Sequence, residues 1–313
     1  MPEVMTQEKS RLLNGLLSEK LRSDDPVHHK QAADVINEYI RTQVKEDSYL
    51  DKIIEPYPIQ ADELDRVIHT DKPTKVVDVE PESQAGYTVG YGGSPDRLWL
   101  RGRRFPVTAA RLQTRKYAKD VSELRTWHMD LRQVVSDNAI RDLLAEKDGN
   151  FIAACNKIVG PADTVMPHSG TIQHKAMSGD ITRDAIMEAF KVLQSTPGSH
   201  KAEKVLLNHN TILDLSKIAQ DEWGNDHPGD IMANGWTKDK LNGADLIVTI
   251  KRNQVPDKNF YWFPNQIFIG KNFEFTPTTM HVKKEYFLVE FFAYLEFGCG
   301  IANTNGVART DHR

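Results

Sequence analysis

The sequence predicts an α+β fold, and three observations carry that prediction. Residues 74–118 read as extended structure punctuated by Gly86, Gly90, Gly92, Gly93 and Gly102. From Val121 the apolar period changes to 3.6, the signature of a long amphipathic helix. Nine of the twelve phenylalanines then fall between residues 260 and 297, among alternating strands, which places the densest packing near the C-terminus.

Taken in order, residues 6–22 predict a short amphipathic helix weakened by Gly15, and Pro26 stops it. Residues 30–46 predict a second helix, with Ala33, Ile36, Tyr39, Ile40 and Val44 at helical spacing. Neither segment makes an independent bundle, so together they read as an arm lying on other surfaces. Glu55-Pro-Tyr-Pro58 breaks helix twice. Val77 and Val79 alternate, as do Tyr87, Val89 and Tyr91. Gly92-Gly-Ser-Pro-Asp96 signals a turn, and Leu98 and Leu100 alternate beyond it. This is a long two-stranded hairpin, and such a ribbon alone is marginal in water.

The helix stripe holds Leu124, His128, Leu131, Val135, Ala139 and Leu143, widened by Trp127, Val134, Ile140 and Leu144. Asp120 or Ser122 can cap its start. It runs at least to Lys147, roughly 40 Å at 1.5 Å per residue. A restart beyond Gly149 would use Phe151, Ile152, Cys155 and Ile158. Residues 181–194 predict another amphipathic helix, Lys204–Asn208 a strand, and 210–220 a third helix; 223–230 reads as a loop. Strands are expected at Ala244–Ile250, Phe260–Phe263, Gln266–Gly270, Phe273–Phe275 and Tyr286–Ile301.

The 313 residues suit two domains or one elaborate domain, with 39% apolar and 27% charged residues. A net charge of −4 excludes a chain that traps polyanions through its overall charge. Cys155 and Cys299 lie far apart in sequence and outside any ligand-spaced cluster, which fits a reducing cytosol. Met1–Leu13 has no apolar stretch of the kind a signal peptide needs. The most apolar run, Tyr286–Phe297, is interrupted by Glu290 and Glu296 and is too short to cross a bilayer, so no membrane partner is expected.

Charge is segregated along the arm. Between Arg97 and Lys119 there are eight basic residues and no acidic one, whereas Val44–Asp71 carries eight acidic residues and three basic ones. A ribbon without a core must bury itself against something else. Blocks of opposite sign on one chain favour another copy of that chain. The expected contacts are Arg97, Trp99, Leu100, Arg101, Arg103, Arg104, Phe105, Arg111 and Arg115 on the ribbon. The expected receivers are Glu46, Asp51, Glu55, Asp62, Glu63 and Asp65.

Other chemistries compete for the same residues. The basic run could track phosphates, with Trp99 and Phe105 stacking on bases, although the acidic block upstream would repel a duplex. His168 and His174 lie six apart and lack a fixed third ligand for a metal. Ser169, His209 and Asp214 could be assembled into a triad, but no nucleophile elbow marks the serine, and no dinucleotide or phosphate loop is present. No enzyme, cofactor or metal site is expected. Asn303, Asn305 and Gly306 read as a tight turn; in a cross-linked assembly an asparagine here could join Lys72 or Lys75.

The order of parts resembles the major capsid proteins of tailed bacteriophages with the Hong Kong 97-type fold. Tyr294-Leu-Glu-Phe-Gly-Cys-Gly-Ile-Ala-Asn-Thr-Asn-Gly-Val-Ala308 is similar to that family's closing stretch. Residues 241–270, LNGADLIVTIKRNQVPDKNFYWFPNQIFIG, are similar to its axial-domain exit. The resemblance implies an N-terminal arm at 1–55, an extended hairpin loop and its base at 56–118, and the spine helix with the peripheral domain at 119–184. It implies an axial domain at 185–265 and a return to the peripheral domain at 266–313.

It further implies a coat subunit that assembles with itself into pentamers and hexamers of an icosahedral shell around double-stranded DNA. Assembly would occur in the host cytoplasm, with portal, scaffold and decoration proteins as partners. DNA contact would be weak and non-specific, with Lys9, Arg11, Lys20 and Arg22 as one source. Trp223, Asp226, His227 and Trp236 would lie in axial loops or in the core. Only about 50 residues precede the loop, so a scaffold would be separate, absent or already removed. The acidic residue used by cross-linking members is not identifiable. Three alternatives remain: an encapsulin-like compartment, a monomeric nucleic-acid-binding protein using the hairpin, and an uncharacterised enzyme.

Overall fold

The computed structural model describes residue 27 and residues 48–67, 69–79, 88–93, 102–125, 131–215 and 240–313. The expected helices at 6–22 and 30–46 and the loop at 223–230 lie outside them.

The arm hairpin forms at its root and at its turn. Strands β2 (Thr74–Val79) and β3 (Arg103–Thr108) pair antiparallel, Thr74 opposite Thr108 and Val79 opposite Arg103. That register is symmetric about Tyr91, which lies in a turn closed by the Gly93 N–H donating to the Gly90 carbonyl at 2.9 Å. Gly92 supplies the left-handed residue there, at φ 83°.

Helix α1 is Tyr49–Ile53; beyond the ribbon, β4 (Ala110–Gln113) and β5 (Tyr117–Asp120) lead into the short helix α2 (Val121–Arg125) and then α3 (Leu131–Val159). The Asp120 carboxylate accepts from the Ser122 N–H at 2.7 Å, the cap expected from sequence. Helix α3 does not break at Gly149, as the sequence suggested, but continues for 29 residues, about 43 Å. A Cβ at Gly149 would stand 3.1 Å from Gln254 Nε2, so the glycine marks a close approach rather than an end. Phe151, Ile152, Cys155 and Val159 carry the buried stripe onward.

Helix α3 bridges two sheets. The first has the order β1-β11-β12-β4, with β5 also on β12. Its centre is a long hairpin, β11 (Gly270–Glu285) and β12 (Leu288–Ile301), edged by β1 (Pro56–Pro58). Two corrections arise here. Residues 266–268 form a 3₁₀ turn, not a strand, and residues 276–285, unassigned from sequence, complete β11. Pro277 obscured that strand; it sits where the ladder skips from Thr276 to Thr279, a break that tolerates a residue with no N–H. Tyr286 and Phe287 are a turn, not the start of a strand.

The second sheet has the order β6-β13-β10-β7-β9-β8, with β6 His174–Met177, β7 Lys204–Asn208, β8 Lys240–Leu241, β9 Ala244–Thr249, β10 Asn259–Phe263 and β13 Ala308–His312. Its central strands β7 and β10 are buried on both faces, and the alternation sorts their side chains. Leu206, Tyr261 and Phe263 join the core shared with α3, where Phe151 and Phe263 rings lie 5.8 Å apart. Val205, Leu207, Phe260 and Trp262 pack with helix α4 (Arg183–Gln194), Phe190 lying 4.6 Å from the Trp262 ring. Trp262 is fully buried and its indole N–H donates to Thr310 Oγ1 at 2.9 Å. The Thr182 hydroxyl caps α4, and the expected third helix appears as α5 (His209–Leu215). No helix among the described residues is long and apolar enough to cross a membrane.

Candidate assembly surfaces

The ribbon is rooted on the first sheet by glycines. A Cβ at Gly298 would stand 3.0 Å from Val107 Cγ1, and one at Gly300 2.7 Å from Val107 Cγ2. Only bare backbone lets Val107 lie this close to β12. The two glycines flank Cys299, so the backbone of β12 approaches the root of the ribbon closely on either side of it.

Several basic residues of the ribbon and its base find partners in their own subunit, which the sequence did not foretell. Arg104 meets Asp78, its direct cross-strand neighbour, at 2.9 Å. Arg111 meets Glu296 at 2.6 Å, Lys116 meets Glu290 at 3.4 Å, and Lys119 meets Glu123 at 2.8 Å. Such exposed pairs are worth about 0–1 kcal/mol each and exchange readily. Arg115 is exposed, and Phe105 leaves 45% of its surface in solvent. Arg103 is placed opposite Val79, with its side chain outside the description. Arg97, Trp99, Leu100, Arg101 and Glu46 lie outside the described residues, as do Trp223, Asp226, His227 and Trp236.

Among the acidic residues, Glu55 and Asp62 are exposed. Glu63 accepts from the Tyr57 hydroxyl and the Gln60 N–H, both at 3.3 Å. Asp65 accepts from the Val76 N–H at 2.8 Å. Asp51 is withdrawn from the surface. Its carboxylate receives Lys147 Nζ at 2.6 and 2.7 Å, and the two side chains are 5% and 7% exposed. Asn272 Nδ2 donates to the same carboxylate at 2.9 Å.

One helical step on, Asp148 organises a second knot. It accepts from Ser48 Oγ at 2.9 Å and from Lys251 Nζ at 2.7 Å. The Tyr49 hydroxyl donates to the Asp148 carbonyl at 2.8 Å, and burial with the nearby Asp148 charge pushes its pKa far up. Lys204 Nζ donates to the Lys52 and Ile53 carbonyls at 2.7 and 2.8 Å; burial holds its pKa below the usual lysine range. Segment 48–54 is therefore latched at once to α3, to the loop before β10, and to β7. The sequence carried a legible signal for this: Lys147 and Asp148 fall at i+4 from Leu143 and Leu144 and i−4 from Phe151 and Ile152, inside the apolar stripe.

Beside Asp51 and Lys147 a cleft of about 250 Å³ opens between β1 and the irregular stretch of β11, walled by Pro56, Phe273, Pro277, Leu295 and Phe297. At the far end of the same hairpin, Tyr286 and Phe287 stand 87% and 75% exposed. Neither feature was singled out from sequence.

Ser169, His168 and His174 are engaged internally. The Ser169 hydroxyl donates to the Thr171 carbonyl at 3.2 Å. His168 Nε2 lies 2.7 Å from Gln173 Oε1. His174 faces Asp311 at 2.8 Å and the Gly160 carbonyl at 2.9 Å. Burial opposes ionisation of Asp311, yet hydrogen bonds from His174 and Arg309 keep its pKa below the usual range. Burial pushes the thiols of Cys155 and Cys299 up, Cys299 to about 12, so neither is a ready nucleophile. Among the described residues no cluster of three or more His, Cys, Asp or Glu could hold a metal.

His312 carries a pH dependence. Its ring is 5% exposed, packs edge-on to Phe260 at 5.5 Å, and leaves both nitrogens without a hydrogen bond. Burial, then the Lys258 ammonium, lowers its pKa, against a smaller opposite pull from Asp311. The unfolded chain therefore binds the proton more readily. Stability is full above the unfolded value of about 6.5 and falls as pH drops through it. Denaturant midpoints should fall between pH 7.5 and 5.5, and His312→Phe should flatten that slope. An unchanged slope in the variant would refute the assignment.

The geometry defines an α+β fold: a long spine helix between two sheets, with the paired strands β2 and β3 rooted on the first. This is the Hong Kong 97-type capsid fold expected from the order of elements. Among solved structures, it is similar to the capsid of the native GTA particle, with a TM-score of 0.60 at 13% identity, over 84% of this chain and 89% of that one. It is similar to the virus-like particle from Pyrococcus furiosus, with a TM-score of 0.55 at 12% identity, over 89% of this chain and 98% of that one. The bacteriophage PhiM1 mature capsid gives 0.55 at 10% identity, over 85% and 87%. No family model and no curated protein matches the sequence.

Proposed function

We propose that this chain is a major capsid protein that assembles with itself into pentamers and hexamers of an icosahedral shell around a double-stranded DNA phage genome. The observation that carries this reading is a likeness over most of both chains to proteins that form closed particles. A ribbon whose root is seated by Val107 on two glycines supports it. In this reading residues 1–55 are the N-terminal arm, 56–118 the extended loop and its base, 119–184 the spine helix and peripheral domain, 185–265 the axial domain, and 266–313 the return. Its mechanism is association rather than catalysis. Arg97, Trp99, Leu100, Arg101, Arg103, Phe105 and Arg115 would lie on a neighbour, with Glu55, Asp62, Glu63 and Asp65 as candidate receivers. Portal, scaffold and decoration proteins would be further partners, and the virion, assembled in the host cytoplasm, its location.

Affinity in such a shell comes from apolar burial repeated over many contacts, at roughly 25 cal/mol per Å² as an upper guide. Charge sets register and partner choice. Arg101→Glu combined with Arg103→Glu should block or deform particles while leaving the circular dichroism spectrum of the subunit unchanged. Normal particles from that variant would refute the ribbon's role. The Pyrococcus furiosus particle, matched over 98% of its chain, favours a second reading as the shell of an encapsulin-like protein compartment. Nucleic acid co-purifying inside the particles supports the first reading, and a protein cargo supports the second.

A further inference from the structure

We propose that Tyr286, at the tip of the β11–β12 hairpin, is a knob that enters the cleft beside Asp51 and Lys147 in a second copy of the chain; this rests on the shell reading above. The tip is built against local economy. Glu285 pairs with Leu288, leaving a two-residue turn in which Tyr286 takes φ 55°. Turns of this length normally use Asn-Gly or Asp-Gly, because they need left-handed residues. Here the position holds a tyrosine followed by a phenylalanine, the first 87% and the second 75% exposed. Strained backbone persists where function holds it in place. The tip is also fixed rather than loose, since the Val121 N–H donates to the Phe287 carbonyl at 2.7 Å. A rigid exposed aromatic on a pre-set backbone is the usual anchor of a protein interface.

The cleft has the complementary character. Its 250 Å³ is below the roughly 300 Å³ at which small-molecule pockets begin. It suits one aromatic side chain. Its walls are apolar, while Asp51, Lys147 and Asn272 bring polar atoms to its lining, a match for a ring that ends in a hydroxyl. The charged residues lining the cleft, Asp51, Glu274 and Lys147, leave one net negative charge, and Lys283, Lys284 and Glu285 before the tip leave one net positive charge, with Lys283 and Glu285 paired at 3.1 Å.

The tip cannot serve its own cleft. Thr278, the cleft-lining residue nearest the tip along the chain, is seven residues from Glu285 at the end of β11, about 23 Å at the rise of a strand, and Tyr286 lies just beyond. The cleft and the tip lie at opposite ends of β11, so only another copy's tyrosine can arrive. The contact is heterologous, knob on one copy and hole on the next, and therefore propagates from subunit to subunit.

The test uses the full chain with Tyr286→Cys and Pro277→Cys together, purified as particles and exposed to a mild oxidant. A reducible ladder of dimers, trimers and higher multimers is expected, with each single variant and the wild type remaining monomeric on a denaturing gel. Dimers from Tyr286→Cys alone would mean that tips meet each other and would overturn the proposal. So would intact particles of the double variant without a ladder. Tyr286→Gly separates interface from fold, because it relaxes the left-handed backbone: the subunit's Tm should hold or rise while particle yield drops roughly tenfold or more. Wild-type yield from that variant overturns the proposal and leaves the shell reading standing. Absence of particles from the wild type itself removes both.

Discussion

Lys147→Met should destabilise the subunit by about 3–5 kcal/mol, because it leaves the Asp51 carboxylate buried without its cation. Lys147 Nζ sits 2.6 and 2.7 Å from the two carboxylate oxygens, and neither side chain reaches water to any useful extent. The amide of Asn272 remains as a donor but carries no charge. Helix α1 should then leave α3 and take the Ser48–Asp148 and Tyr49–Gln254 contacts with it. Urea midpoints measure the loss. Asp51→Leu combined with Lys147→Met should recover much of it, since an apolar pair of similar size avoids the orphaned charge. If Lys147→Met unfolds within 1 kcal/mol of wild type by the same measurement, the ion pair is not the anchor argued here.

Gly300→Val should leave a folded subunit that no longer assembles. Even the first added carbon would sit 2.7 Å from Val107 Cγ2. Overpacking of this kind costs about 1–3 kcal/mol, too little to unfold the sheet. The strain can relax by lifting β3 off β12, which moves the root of the ribbon. Particle yield should collapse while the thermal transition shifts only modestly, and protease should cut the ribbon faster. Wild-type particles from Gly300→Val would show that the ribbon's seat is not fixed by this contact.

Both variants probe features of unequal legibility in the sequence. Local periodicity revealed α3, α4, β7, β9 and β10, because each buries a stripe or a face that its residue spacing records. The root of the arm hairpin was equally plain, since β2 and β3 pair in a register centred on the glycine turn. Where local rules conflicted, the reading failed. Gly149 suggested a break that Gln254 turns into a packing contact. Pro277 and the charges of Lys283, Lys284 and Glu285 hid the outer half of β11, although a proline at a ladder irregularity costs no hydrogen bond. The ion pairs of Arg104 and Arg111 could not be foreseen, because their carboxylates come from register and sheet order rather than from sequence distance. The Asp51–Lys147 pair joins residues 96 apart, yet a lysine and an aspartate inside an apolar helical stripe announced that something buried would meet them.

The central claim is that this subunit is completed by copies of itself. Negative-stain electron microscopy of the purified full-length chain tests it most directly. Closed shells of uniform diameter are the predicted result. A monodisperse monomer at every concentration reached, its ribbon protected from protease by its own body, would contradict the account.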